Sequence, residues 1–287
     1  IQTLHHESKY QHARDQMLKA AQIAKKVGDR DGELFYLSNL GMWELMRGHI
    51  KEVEQDLPKL KEISDLLGGE GAGKLGFDQL YHISLAAKGD FDQALDYSQT
   101  RLEGTRKFGD YQRLESALEI TILVSIIKDD PGMGMSALEE YNQLAENGTA
   151  SAAESHSLSS ILFSRKGDSR QARHHFQLAA EHKAAPRQGN IDRMYIEWAE
   201  SELMLAEYKP VEAWDSFERL HAVTIGYEFL WHANVLLTEW AFNFLTRGNP
   251  GQQAEAQILI DEASRKFREM GADAYVDFIE EKLALIT

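Results

Sequence analysis

The chain has 287 residues, 43% hydrophobic and 27% charged, with no cysteine and a formal net charge of -15 at pH 7. Without cysteine there is no disulfide, thiolate nucleophile or cysteine metal site, a composition that suits a reducing cytoplasm. The acidic balance speaks against a nucleic-acid grip, which needs clustered Lys and Arg to displace counterions from phosphate, and no apolar run approaches the roughly 18 residues of a membrane span.

In chain order, residues 1–6 read as the last turn of a helix and Glu7-Ser8-Lys9-Tyr10 as a turn. Ala13, Met17 and Ala20 then open an apolar ridge that runs on through Ala24. That start lies inside a helix pair and leaves the apolar side of Met17 and Ala20 uncovered, so a further segment upstream is expected, holding the rest of that helix and an effector domain. A turn at Gly28-Asp29 precedes a helix carrying Leu37, Leu40 and Gly41, and Gly48-His49 leads into Val53, Leu57 and Leu60. Phe77, Leu80, Tyr81, Leu85 and Ala86 recur at three- and four-residue steps, the stripe of one helix face. After Gly89-Asp90 the pattern restarts at Phe91, Ala94, Leu95 and Tyr97 and continues through Phe108. The same small-large-small ridge returns as Ala137-Tyr141-Leu144, Ala172-Phe176-Ala179, Ala213-Phe217-Leu220 and Ala256-Ile260-Ala263. Residues 273–286 give one last amphipathic helix.

The turns inside these pairs fall at Gly48-His49, Gly89-Asp90, Gly132, Gly167-Asp168, Tyr208-Lys209 and Gly248-Asn249, at spacings of 41, 43, 35, 41 and 40. A second series separates the pairs, at Gly28, Gly68, Gly109, Gly148, Gly189, Gly226 and Gly271. Glycine ends a helix by accepting the left-handed conformation. Two interleaved glycine series with one period predict a stack of helix-turn-helix units.

The stretches Lys88-Gly89-Asp90-Phe91-Asp92-Gln93-Ala94 and Lys166-Gly167-Asp168-Ser169-Arg170-Gln171-Ala172 resemble the turn of the tetratricopeptide repeat (TPR) family, and Leu40-Gly41 resembles its leucine-glycine core. In other units that glycine is replaced by His82, Ser125, Ser160, Ser201 and Ala241. The period is similar to the family's longer, roughly forty-residue class. Residues 263–272 resemble the C-terminal helical sensor regions of bacterial signal-transduction ATPases. The resemblance implies an all-α solenoid, a superhelix of about seven TPR-like repeats over residues 1–271, with residues 272–287 as the capping helix of the same domain. It also implies a cytoplasmic, non-catalytic protein-binding module, the sensor or adaptor part of a larger bacterial signalling or transcription regulator.

Several motifs point to other chemistry and fall short of it. Residues 68–75, Gly-Gly-Glu-Gly-Ala-Gly-Lys-Leu, approach a phosphate loop but lack the final Ser or Thr and follow a helical run where the motif needs a strand, so they read as an inter-repeat loop. His5, His6 and His12, and His174, His175 and His182, are the material of a metal-dependent hydrolase, but no helical ligand pair stands three or four apart with carboxylate company, and they read as surface residues. No catalytic residue, metal site or cofactor is expected.

By the resemblance, the first helix of each pair lines a concave face. Positions two before and two after its core residue are Ser38 and Met42, Gln79 and Ile83, Ile122 and Ile126 in the first three full pairs. Further along stand Ser157 and Ile161, Trp198 and Glu202, Thr238 and Phe242, and one turn upstream are Phe35, Glu119, Glu154 and Tyr195. Ile83, Ile122, Ile126 and Ile161 read equally as packing between neighbouring helices. The set is apolar and aromatic with scattered carboxylates, which suits an amphipathic helix, an apolar peptide or a stacked small ligand. A small ligand such as an oligosaccharide or short peptide would change the curvature of the stack.

Overall fold

The computed structural model describes residues 7–67, 71–108, 111–182 and 189–286. Those residues form fourteen helices and no strand. They are α1 (Glu7–Val27), α2 (Arg30–Met46), α3 (Ile50–Asp65), α4 (Ala72–Lys88), α5 (Phe91–Phe108), α6 (Tyr111–Ile127) and α7 (Pro131–Glu146). After them come α8 (Ala152–Arg165), α9 (Ser169–Glu181), α10 (Asn190–Ala206), α11 (Pro210–Gly226), α12 (Leu230–Arg247), α13 (Pro250–Met270) and α14 (Asp273–Ala284). Residues 7–10, read above as a turn, belong to α1, while residues 1–6 lie outside the described residues.

The turn chemistry explains the sequence signature. In the Gly28-Asp29 and Gly167-Asp168 pairs the glycine closes one helix and the aspartate caps the following one. Gly28 and Gly167 have φ of 80° and 78°, and the Asp29 and Asp168 side chains accept from the backbone N–H of Gly32 and Gln171. Gly132 and Gly226 do not form the turns expected of them. Gly132 stands in the first turn of α7 behind the Asp130 cap, and Gly226 is the last residue of α11. The left-handed residues there are Asp129 and Glu228, at φ of 54° and 60°, and Tyr208 makes a third such turn at 58°. With Asp129 in place of Gly132, the left-handed positions 48, 89, 129, 167 and 208 step by 41, 40, 38 and 41 residues. The geometric period is more regular than the glycine period, because a side chain at φ > 0 costs only about 1–2 kcal/mol.

Consecutive helices pack against one another along the chain, and the even-numbered helices also touch in succession from α2 to α10. Small residues set the spacing of α2 and α4: a Cβ on Gly41 would meet the Leu80 side chain, and one on Gly73 would overlap the Asp31 carbonyl oxygen. The ridge residues Ala94, Ala172, Ala213 and Ala256 are fully buried, as are Ser125, Ser160, Ser201 and Ala241 at the degenerate core-glycine position. His82, at that same position, hydrogen-bonds Ser98 Oγ at 2.7 Å inside the α4–α5 hairpin, and burial lowers its pKa to about 4.

The array also bends back on itself, with α12 in contact with α2 and α14 in contact with α4. Arg47 donates to Glu228 across this seam, and Lys51 Nζ donates to the carbonyl oxygens of Arg268 and Glu269, both at 3.3 Å. Trp231 Nε1 reaches the Ala87 carbonyl at 3.2 Å, and Lys282 Nζ reaches that of Ile127 at 2.9 Å. Phe91 packs edge-on against Tyr275 and Phe278 at centroid distances of 5.2 and 5.0 Å. No described helix is long and apolar enough to cross a membrane.

Candidate functional site

The bend decides which inner positions remain accessible. Ser38, Ile122, Ile126, Ser157, Ile161 and Thr238 are fully buried, and Tyr195, Trp198, Glu202 and Phe242 are nearly so. These residues pack in the interior, where no ligand reaches them without rearrangement. Tyr195 and Trp198 stack on each other at 6.2 Å, and Trp198 Nε1 donates to Glu202 Oε1 at 3.2 Å. Phe35 and Gln79 are exposed, while Met42, Ile83 and Glu119 are half-buried.

Four of the expected residues meet in one cavity of about 360 Å³ between α2, α4 and α6, namely Phe35, Met42, Gln79 and Glu119. Its wall also holds Asn39, Asp78, His82, Arg101, Glu115 and Ser116, none of which the positional rule selected. Glu115 stands one helical turn before Glu119 and would follow from extending that rule by a turn. Arg101 comes from the second helix of a pair, and the rule gives no signal for it. Arg101 is ion-paired to Asp78 at 2.7 Å, and the Tyr97 hydroxyl donates to the same carboxylate at 3.3 Å. The Ser116 hydroxyl is buried without a hydrogen-bond partner.

Acids dominate the far wall. Burial raises the Glu119 carboxyl pKa, and Glu119 hydrogen-bonds Glu154 and the Tyr195 hydroxyl. Burial, and then the charge of Glu119, pushes Glu154 well above the carboxylate range. Glu115 is lifted to about 7, chiefly by desolvation and secondarily by Glu119. Glu154 lies behind this wall and lines a different cavity.

A second polar cluster sits deeper. The Arg165 side chain, 3% exposed, donates through Nη2 to Glu202 Oε1 and Glu239 Oε2, each at 2.6 Å, and through Nη1 to the Ile126 carbonyl at 2.5 Å. Burial opposes its charge, but Glu202 and Glu239 outweigh that and hold the guanidinium protonated. Every strong partner is internal, so this cluster joins α8, α10 and α12. Arg165 is the last residue of the apolar and serine-rich α8, and nothing in that pattern marks it as interior.

The glycine-rich segment has a packing explanation. Gly71 and Gly73 lie against Asp31, whose carboxylate accepts from the Gly73 N–H at 3.0 Å and occupies the α4 N-terminus where a phosphate would bind. Residues 68–70, the start of that motif, lie outside the described residues. Among the histidines, His175 stacks on Phe163 at 5.4 Å and approaches His156 Nδ1 at 3.4 Å, while His5 and His6 lie outside the described residues. Among the described residues no group of three or more His, Cys, Asp or Glu side chains is placed to hold a metal ion. Neither the protein-family models nor the curated proteins contain a match to this chain.

Proposed function

We propose that the chain is a non-catalytic recognition module, a TPR-like α-solenoid of about seven helix pairs capped by α14, serving as the cytoplasmic sensor or adaptor part of a larger bacterial signalling or transcription regulator. The observation that carries this reading is the convergence of Phe35, Met42, Gln79 and Glu119, inner positions of three successive first helices, on one cavity. A partner protein would enter it with an apolar side chain against Phe35 and Met42 and polar groups toward Gln79 and Glu119. A second reading is favoured by the enclosure of the rest of the inner face: a small ligand or short peptide filling about 360 Å³ and altering the curvature of the stack.

A thermal-shift panel of oligosaccharides and blocked short peptides tests both, because a ligand that binds only the folded chain raises the midpoint. Met42→Trp fills the cavity and should abolish the shift for any hit, with the fold checked by circular dichroism. An unchanged response in Met42→Trp and in Gln79→Ala would overturn this location. Pull-down with the same variants distinguishes a protein partner from a small ligand.

A further inference from the structure

Beside the seam lies a second cavity of about 360 Å³ that shares no lining residue with the first. Two rings come from the start of the chain, Tyr10 on α1 and Trp43 on α2, stacked at 6.2 Å. Tyr227 joins them from the turn between α11 and α12. The faces of such rings carry negative potential and attract cations, and one cation already uses them: the Arg47 guanidinium lies 4.1 Å over Tyr10. Its charge is answered by Glu228.

Two carboxyls on the same wall have no such answer. Asp192 accepts from the Ser151 hydroxyl at 2.8 Å and from the Gly189 N–H at 3.2 Å, both neutral donors. Glu154 is only 9% exposed, and its Oε1 has no hydrogen-bond donor. Its neighbour on the far side is another acid, Glu119. A buried carboxyl oxygen left without a donor costs about 1–3 kcal/mol, so the cavity gains most from a ligand that brings a charged N–H group, while a quaternary ammonium offers the acids and the rings its charge alone. An anion would be repelled, and a neutral apolar ligand would leave the Glu154 oxygen unsatisfied. A bare metal ion would lack ligands, since no group of three or more candidate metal-binding side chains is found among the described residues.

We infer that this seam cavity binds an organic cation, an alkylammonium or guanidinium group, held against Trp43 and Tyr227 and neutralised by Glu154 and Asp192. The site goes beyond the reading of the first cavity and does not depend on it. The same chemistry is offered by a free small amine or by the Lys or Arg side chain of a peptide. Because burial favours the protonated Glu154 carboxyl, cation binding should release a proton.

The test uses the whole chain and four probes: choline, n-butylammonium, a blocked Gly-Lys-Gly peptide, and 3,3-dimethylbutanol, the neutral isostere of choline. Calorimetry and Trp fluorescence should show that at least one cation binds and that the isostere is at least tenfold weaker than choline. Tighter binding of the peptide than of n-butylammonium assigns the cation to a protein partner, and the reverse assigns it to a small amine. Glu154→Gln, which keeps the size of the side chain and the neutral form that burial favours and so should not unfold the chain, should weaken the best cation at least tenfold and abolish proton release, read as the dependence of the heat on buffer. Trp43→Leu should weaken it similarly, whereas Met42→Trp in the first cavity should not. Failure of all three cations at 10 mM, equal binding of choline and its isostere, or unchanged affinity in Glu154→Gln would each overturn the assignment while leaving the first cavity untouched.

Discussion

The indole N–H of Trp231 donates to the backbone carbonyl of Ala87 at 3.2 Å, across 144 positions of sequence. In a simple stack of helix pairs, residues so far apart would have no reason to meet. This bond, the Arg47–Glu228 ion pair and the Gly89–Tyr275 contact together define a seam between early and late helices, with the second cavity beside it.

Glycine 89 tests the seam directly. It is left-handed at φ 96°, and a Cβ there would overlap the Tyr275 backbone. Gly148 has φ 74° but open space around it. Gly148→Ala should cost about 1–2 kcal/mol from backbone strain alone. Gly89→Ala should cost clearly more, about 3 kcal/mol or above, because α14 must move away. Urea unfolding of the two variants measures the difference, and equal losses would mean the α4–α14 contact carries no stability.

Arg165 answers two buried carboxylates at once, so its removal should be costly. Arg165→Met should destabilise by about 3–5 kcal/mol, the range for leaving buried charge without its partner. Adding Glu202→Gln and Glu239→Gln should recover most of that loss. Equilibrium denaturation of the single and triple variants decides between a specific charge network and a general loss of packing.

Glu115 gives a pH signature. Its folded pKa of about 7 lies above the ordinary carboxyl value of 4.5, so the native state binds more protons than the unfolded state between those values. Stability from this group is therefore highest below about pH 4.5, declines as pH rises towards 7, and is level above that. Glu115→Gln should remove the decline. The quantity to measure is the stability difference between variant and wild type, followed from pH 4.5 to 8.

His232 acts with the opposite sign. Burial lowers its pKa to about 4, from the ordinary imidazole value of 6.5, so the unfolded state takes up the proton first as pH falls. The wild type should lose stability between about pH 6.5 and 4 on this account. In His232→Phe that acid-side slope should be shallower, read from melting temperatures across the same range.

Much of the helix pattern was legible because it depends on local chemistry. The Gly28-Asp29 and Gly167-Asp168 pairs each end one helix and cap the next, and both jobs are done by residues adjacent in sequence. The turns at Asp129 and Glu228 escaped because left-handed backbone is only favoured by glycine, and Gly132 and Gly226 stood nearby as decoys. Phe35, Met42, Gln79 and Glu119 line one cavity, as expected of positions that the resemblance turns inward and that helical spacing sets on one face of each first helix. The burial of Trp198, Glu202 and Phe242 could not be read the same way. It depends on how far the stack curves, which is set by the sum of many small packing angles rather than by any one motif.

The Arg47–Glu228 contact also constrains how the chain is made. Arg47 precedes its partner by 181 residues, so at ribosomal rates of about 5–20 residues per second it waits about 10–40 s for Glu228 to be synthesised. Throughout that interval the face of α2 that later meets α12 has no partner from the distal helices. That face of the nascent chain therefore stays uncovered for longer than it would in a stack with only neighbour contacts, and the seam can close only once the residues around Glu228 have been made.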